Sequence, residues 1–225
     1  MQCTLQYALL GECMMFRKII VGLIVLSFAI GIYVYPQMPN MMASHWNTEG
    51  QVDGYMSKFW GLFLMPFAIV GLSLLFIVIP KIDPLKSNIE KFRVHYDRFI
   101  ILLISYLFLI HIFVIVWSFG YRFNILYFMM PALGFLFYYA GILTENAKMN
   151  WFIGIRTPWT LSNEDVWNKT HKIGGKLFKI AGLIAFSGAL FSKYTIFFIL
   201  VPILSVVIFT VIYSYFEYQK TIEHL

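Results

Sequence analysis

The apolar positions of this chain are gathered into blocks, separated by short breaks and by three longer polar stretches. Most blocks run for about 20 positions, the length a helix needs to cross a bilayer core. Six are read, at about Lys18–Tyr35, Phe59–Ile79, Phe99–Phe119, Phe123–Leu143, Leu177–Phe191 and Thr195–Phe216. The fifth is short as drawn, and its helix is expected to begin earlier, before Gly174-Gly175. Backbone groups in lipid must be paired within their own segment, and period-two alternation is absent. The blocks therefore read as helices and not as a barrel. The expected fold is an all-α membrane protein with six transmembrane helices.

Composition supports this reading. Of 225 residues, 60% are hydrophobic and 12% charged, with a mean hydropathy of +0.75; an ordinary soluble domain carries about 25% charged residues. A net charge of +6 raises nucleic acid as a partner, but in a membrane protein it reflects basic cytoplasmic loops. No direct nucleic-acid contact is expected. Two cysteines, Cys3 and Cys13, form neither a zinc spacing nor a disulfide framework. The run Met14-Met15-Phe16-Arg17-Lys18 resembles a natural start. Residues 1–17 are thus read as an N-terminal segment that is either disordered or not native. The first span has a signal-like charged front but no small-residue cleavage site after it, and reads as a retained anchor.

The charge distribution orients the spans. Of 17 Lys and Arg residues, only Lys58, Arg122 and Lys193 fall in loops on one side; the other fourteen share the opposite side with both termini. Positive charge marks the cytoplasmic face, so the chain is expected to be a multi-pass protein of the cell membrane with both termini inside. The divisions that follow are 18–79 for the first two spans and their external loop, 80–98 for a basic cytoplasmic loop, and 99–225 for the last four spans.

The external loop, Pro36–Lys58, has prolines at its front and Gly50 and Gly54 as turn points. His45, Glu49 and Asp53 stand four apart and would align on a helix as metal ligands, but the glycines oppose a continuous helix and no second histidine is near. The stretch reads as a compact ordered turn with Trp46 in the aromatic belt, ligand or peptide contact being the alternative. No metal and no cofactor are expected. In the cytoplasmic loop, Lys86–Arg98 reads as a helix along the inner membrane surface with Ile89, Phe92 and Phe99 on one side. Its basic residues lie near anionic lipid headgroups.

The spans carry no Asp, Glu, Lys or Arg at mid-membrane depth, and Lys179 is near enough to an end to snorkel. His111 is the buried ionisable side chain, expected to be neutral and hydrogen-bonded to a neighbouring helix; an intramembrane polar residue is also a functional candidate. Gly134, Gly141, Gly182 and Gly188 read as close-packing positions.

The most elaborate stretch is Asn150–His171, NWFIGIRTPWTLSNEDVWNKTH. Trp151 and Phe152 suit the membrane interface. Arg156 presents a planar donor fork for backbone carbonyls, a carboxylate or a lipid phosphate. Thr157-Pro158 imposes an extended residue and then a turn. Ser162 reads as an N-cap with Asp165 at its third helical position. Glu164 and Asp165 lie in the first turn, where the helix dipole favours negative charge. Trp167 and His171 share a face. Arg156, Glu164, Asp165 and His171 make an acid/base set on paper. Capping accounts for the two carboxylates, however, and no nucleophile or metal cluster accompanies them, so no catalytic residue is assigned.

The run Asn150, Gly154-Ile155-Arg156-Thr157-Pro158-Trp159-Thr160-Leu161, then Trp167, His171 and Gly174-Gly175 resembles the signature of the SdpI family. Pro39, His45-Trp46-Asn47, Gly50, Asp53-Gly54 and Lys58 resemble the small domain of unknown function that often precedes it, with Val52 where that domain usually has proline. The resemblance implies a six-span layout and makes 99–225 an SdpI-like module. It further implies protection against a secreted toxin or antimicrobial peptide, and a receptor role in which a transcriptional repressor is held at the membrane. On this chain it implies ligand or partner contact at His45, Trp46, Asn47, Asp53 and Lys58 outside, and at Asn150, Arg156, Thr157, Trp159, Trp167 and His171 inside. The alternatives are a small transporter or channel using His111, and a membrane-embedded enzyme using Arg156 and His171.

Overall fold

A computed structural model describes the backbone of residues 2–191 and 194–223 and the side chains of residues 15–191 and 194–222. Cys3, Cys13 and Met14, on which the reading of the first segment turns, and Lys193 of the charge count lie outside the described side chains.

In chain order the elements are α1 (Gln2–Val34), strands β1 (Met41–Trp46) and β2 (Val52–Ser57), α2 (Lys58–Ile82), α3 (Lys86–Glu90), α4 (Arg93–Ser118), α5 (Leu126–Asn146), α6 (Pro158–Ser162), α7 (Glu164–Ser187) and α8 (Thr195–Glu223). Among the described residues, α1, α2, α4, α5, α7 and α8 each hold a stretch long and apolar enough to cross a membrane. The chain is a multi-pass membrane protein, mostly helical.

Three sequence expectations are corrected. The chain is not all-α, because the first long loop closes as a two-stranded antiparallel hairpin. Helix α4 starts at Arg93, so Lys86–Arg98 is not one surface helix; it breaks after α3. Ile89 and Phe92 are fully buried in the main core with Ile153 and Trp167, so this loop folds back onto the bundle. Helix α5 starts at Leu126 rather than Phe123, and Phe123 instead joins a ring cluster with Phe113 and Phe128. Lys179 reaches the polar end of the bundle, where its Nζ lies 2.8 Å from Glu145 Oε2 and bridges α7 to α5. The fifth span begins well before Gly174-Gly175, as expected, and passes through them without a break.

The tightest helix pair is α5 with α7. A Cβ on Gly134 would lie 2.7 Å from the Gly182 carbonyl oxygen, and one on Gly141 would lie 2.5 Å from that of Gly175. Small residues at these crossings let two backbones touch, which replaces the hydrophobic drive that lipid does not supply. The N-terminal helices share the main core, to which Ile69 of α2 and Ile100 and Ile104 of α4 contribute buried side chains.

Helix α2 connects the two polar ends. Extended Ser57 precedes it and Asp83 caps its C-terminus; its length of about 37 Å sets the hairpin and the Asn150–His171 stretch at opposite ends of the bundle.

Candidate functional site

At the hairpin end, Asn47 makes the turn. Its Oδ1 accepts the Glu49 and Gln51 N–H groups at 3.0 and 2.9 Å, and its backbone exchanges bonds with Gln51 and Gly50. Bulges on either side of His45 disturb the register, pairing His45 with Gly54 and Trp46 with Val52. Asp53 is thereby brought across from His45, and Asp53 Oδ1 lies 2.5 Å from His45 Nδ1. The pair is well exposed, at 70% and 46% of the side-chain surface. Glu49 sits in the turn, apart from this pair; among the described residues no group of three His, Cys, Asp or Glu side chains could hold a metal.

The other face of the hairpin is anchored. Met42 is buried against Gly61, where a Cβ would lie 2.7 Å from the methionine Cβ. Trp46 meets Trp117 of α4 edge-on at 6.3 Å, and the Arg122 guanidinium lies 3.7 Å over the Trp117 ring. Asn124 Nδ2 donates to the Glu49 carbonyl at 3.1 Å. Lys58 opens α2 with its ammonium 5.1 Å from the centre of the Tyr35 ring. The sequence-assigned residues thus divide by role: Trp46, Asn47 and Lys58 build and dock the hairpin, while His45 and Asp53 face outward.

At the opposite end, residues 147–163 form a platform held by side chains rather than by regular structure. Asn150 is fully buried. Its Nδ2 donates to the Lys148 and Ile153 carbonyls and its Oδ1 accepts from the Phe152 and Ile153 N–H groups, which closes the loop on itself. Trp167 Nε1 donates to the Ala147 carbonyl at 2.8 Å, and the His171 ring stacks on Trp167 at 3.8 Å. His171 bridges two backbones: Nδ1 lies 2.8 Å from the Trp167 carbonyl and Nε2 lies 3.0 Å from the Ile155 N–H. A carbonyl only accepts and an amide N–H only donates, so the proton sits on Nδ1 and Nε2 accepts. This occupies both nitrogens and leaves His171 no free lone pair for proton transfer.

The Thr-Pro-Trp-Thr turn is a short helix, α6. Thr157 and Thr160 form a reciprocal capping box, and Thr157 Oγ1 also meets Ser214 Oγ of α8 at 3.0 Å. Ser162 is therefore not the N-cap of the next helix. Asn163 is, its side chain accepting from the Asp165 and Val166 N–H groups; Ser162 is already spent inside α6, and the extended backbone at Asn163 aims its amide at α7. Trp159 rests edge-on against Tyr215 of α8 at 5.2 Å. Arg156 is exposed, with Nη1 donating to the Trp151 carbonyl at 2.8 Å. Beneath it lies a mostly apolar cavity of about 470 Å³, lined by Phe76, Tyr96, Phe152, Arg156 and Val211 among others.

Sequence reasoning did not single out Asp83 or Asn88. Asp83 is 2% exposed and accepts the Leu85 and Trp151 N–H groups at 2.6 and 2.9 Å. Asn88 Nδ2 donates to the Met149 carbonyl at 2.9 Å. Both tie the platform to the loop after α2. The available signal was Asp83-Pro84, a turn-initiating pair directly after a span. His111 is fully buried in α4, but the expected hydrogen bond is incomplete. The Ser27 backbone of α1 is its polar neighbour, and neither ring nitrogen reaches hydrogen-bond geometry.

Residues 146–214 match the SdpI/YfhL protein family, and residues 22–70 match a domain of unknown function, DUF1648. Over 207 residues, covering 91% of this chain and 97% of the relative, the sequence is 27% identical to the immunity protein SdpI of Bacillus subtilis (strain 168). No solved structure matches. The chain thus carries an SdpI/YfhL-like segment at 146–214 and a DUF1648-like segment at 22–70, and is a distant homologue of that immunity protein.

Proposed function

We propose that this SdpI-like membrane protein protects its cell from a secreted membrane-active toxin or antimicrobial peptide. The hairpin meets the toxin outside, and the platform engages a cytoplasmic partner of the transcriptional-repressor kind. The observation that carries the reading is the placement of exposed polar side chains at the two opposite ends of one helix. His45 and Asp53 stand exposed at one end of α2, whereas Arg156 stands exposed at the other end on a platform that Asp83 ties to α2. The charge bias of the loops supports the cytoplasmic side for the platform. The homologue's name, immunity protein, supports protection rather than transport or turnover. His171 has both nitrogens engaged in backbone contacts, which disfavours the enzyme reading.

Expression of the full chain in toxin-sensitive cells that lack an immunity protein tests this. Survival under toxin challenge should rise with the wild-type chain and fall back with His45→Ala/Asp53→Ala at equal membrane abundance. Equal killing with and without the wild-type chain sinks the proposal.

A further inference from the structure

Near the hairpin, α1 and α2 are in close contact, since a Cβ on Gly31 would lie 3.5 Å from the Leu62 carbonyl oxygen. Toward the platform end they leave a lateral groove of about 400 Å³, floored by Ile100 of α4. Its walls are aliphatic, with Ile20 and Ile24 on α1 and Val70, Leu74 and Ile77 on α2. Leu74 is 59% exposed, so the groove opens sideways, to where lipid lies if the helices span a bilayer.

Two features set this groove apart from ordinary lipid-facing surface. The first is charge. Arg17 of α1 and Lys81 of α2 line the same groove from different helices, both exposed. Neither forms an ion pair among the described residues. Asp97 feels the Arg17 charge but its carboxylate is bound to Arg93 Nε at 2.7 Å, and Asp83 is bound to two backbone N–H groups. The second is Ser73. A serine in an apolar helix ordinarily returns its hydroxyl proton to its own backbone, as Ser27, Ser118 and Ser214 do here. Ser73 is only 5% exposed, lines the groove, and its Oγ has no partner. A buried hydroxyl left unpaired is costly, and a polar atom on the groove's occupant would satisfy it.

We propose that this groove binds one anionic phospholipid: the phosphate sits between Arg17 and Lys81, an acyl chain lies along Ile20, Leu74 and Ile77, and an ester oxygen accepts from Ser73. An anionic head, an apolar tail and a hydrogen-bond acceptor between them are the three properties the groove presents. A free phosphate would leave the aliphatic walls and Ser73 unused. The site is separate from the hairpin and the platform, and it requires membrane insertion but not the immunity role.

Native mass spectrometry of the full chain in detergent, titrated with phosphatidylglycerol or phosphatidylcholine, tests it. The wild-type chain should retain one phosphatidylglycerol about tenfold or more in preference to phosphatidylcholine, the scale that two cations near an anionic headgroup supply. Arg17→Gln/Lys81→Gln should lose that preference, while Lys86→Gln/Lys148→Gln, which removes two cations outside the groove, should keep it. Leu74→Trp, a change at an exposed position that fills the groove, should lower retention without lowering the melting temperature. Equal retention of the two lipids by the wild-type chain, or unchanged preference in the groove variants, overturns the proposal.

Discussion

Gly154 lies directly beneath His171: with φ of +110°, a Cβ on it would sit 2.3 Å from His171 Nε2, the atom that accepts the Ile155 N–H. One glycine thus allows both the left-handed turn and the approach of the ring that fixes it. Gly154→Ala introduces a clash and a strained backbone together, and strain of this kind alone costs about 1–3 kcal/mol. The melting temperature in detergent should fall by several degrees. His171→Phe keeps the stack on Trp167 but leaves the Ile155 N–H without its acceptor, an expected loss of about 1–3 kcal/mol. It should lower the melting temperature without abolishing insertion.

Asp83 is the link between α2 and the platform. Asp83→Ala removes the acceptor of two N–H groups at once, and each buried group left unsatisfied costs about 1–3 kcal/mol. Hydrogen exchange should quicken at Leu85 and across residues 149–153, while the hairpin stays as protected as before. Uniform loosening of both ends would contradict the link.

The α5–α7 crossing depends on backbone contact. Gly141→Val and Gly182→Val each place side-chain atoms where the facing carbonyl now lies, at 2.5 and 2.6 Å from the first added carbon. Folded yield should collapse. Gly71→Val in α2, where a Cβ meets nothing within 4 Å, is the matched change that should be tolerated.

The exposed pairs separate function from folding. His45→Ala and Asp53→Ala break an exposed side-chain pair, and exposed polar pairs contribute about 0–1 kcal/mol, so stability should hardly move while protection falls. Arg156→Ala gives up one bond to the Trp151 carbonyl. On the proposed function it should leave protection intact and remove engagement of a cytoplasmic partner, read as loss of co-purification of a repressor-type protein.

The spans were legible in the sequence because lipid enforces one rule, runs of apolar residues long enough to cross. The hairpin was not. Its strands alternate only weakly, and Gly50 and Gly54 read as generic turns when in fact Gly54 faces His45 across the ladder. The platform was recognised as a unit through its motif, yet most of its chosen residues proved to be braces. Asn150, Thr157, Trp167 and His171 bond backbone, and Arg156 alone of the platform set points a charge outward. Ser162 was mistaken for the cap because Ser and Asn are equally good caps, and only the extra short helix α6 decides between them. Asp83 escaped notice because its partner, the Trp151 N–H, is 68 residues away.

Cysteine labelling in intact cells shows whether the hairpin and the platform lie on opposite sides of the membrane. In a chain with Cys3 and Cys13 replaced by serine, Glu49→Cys at the hairpin tip should react with a membrane-impermeant maleimide added outside. Lys148→Cys on the platform should react only after the cells are opened. Reaction of Lys148→Cys in intact cells, or of both positions from the same side, would contradict the two-ended arrangement.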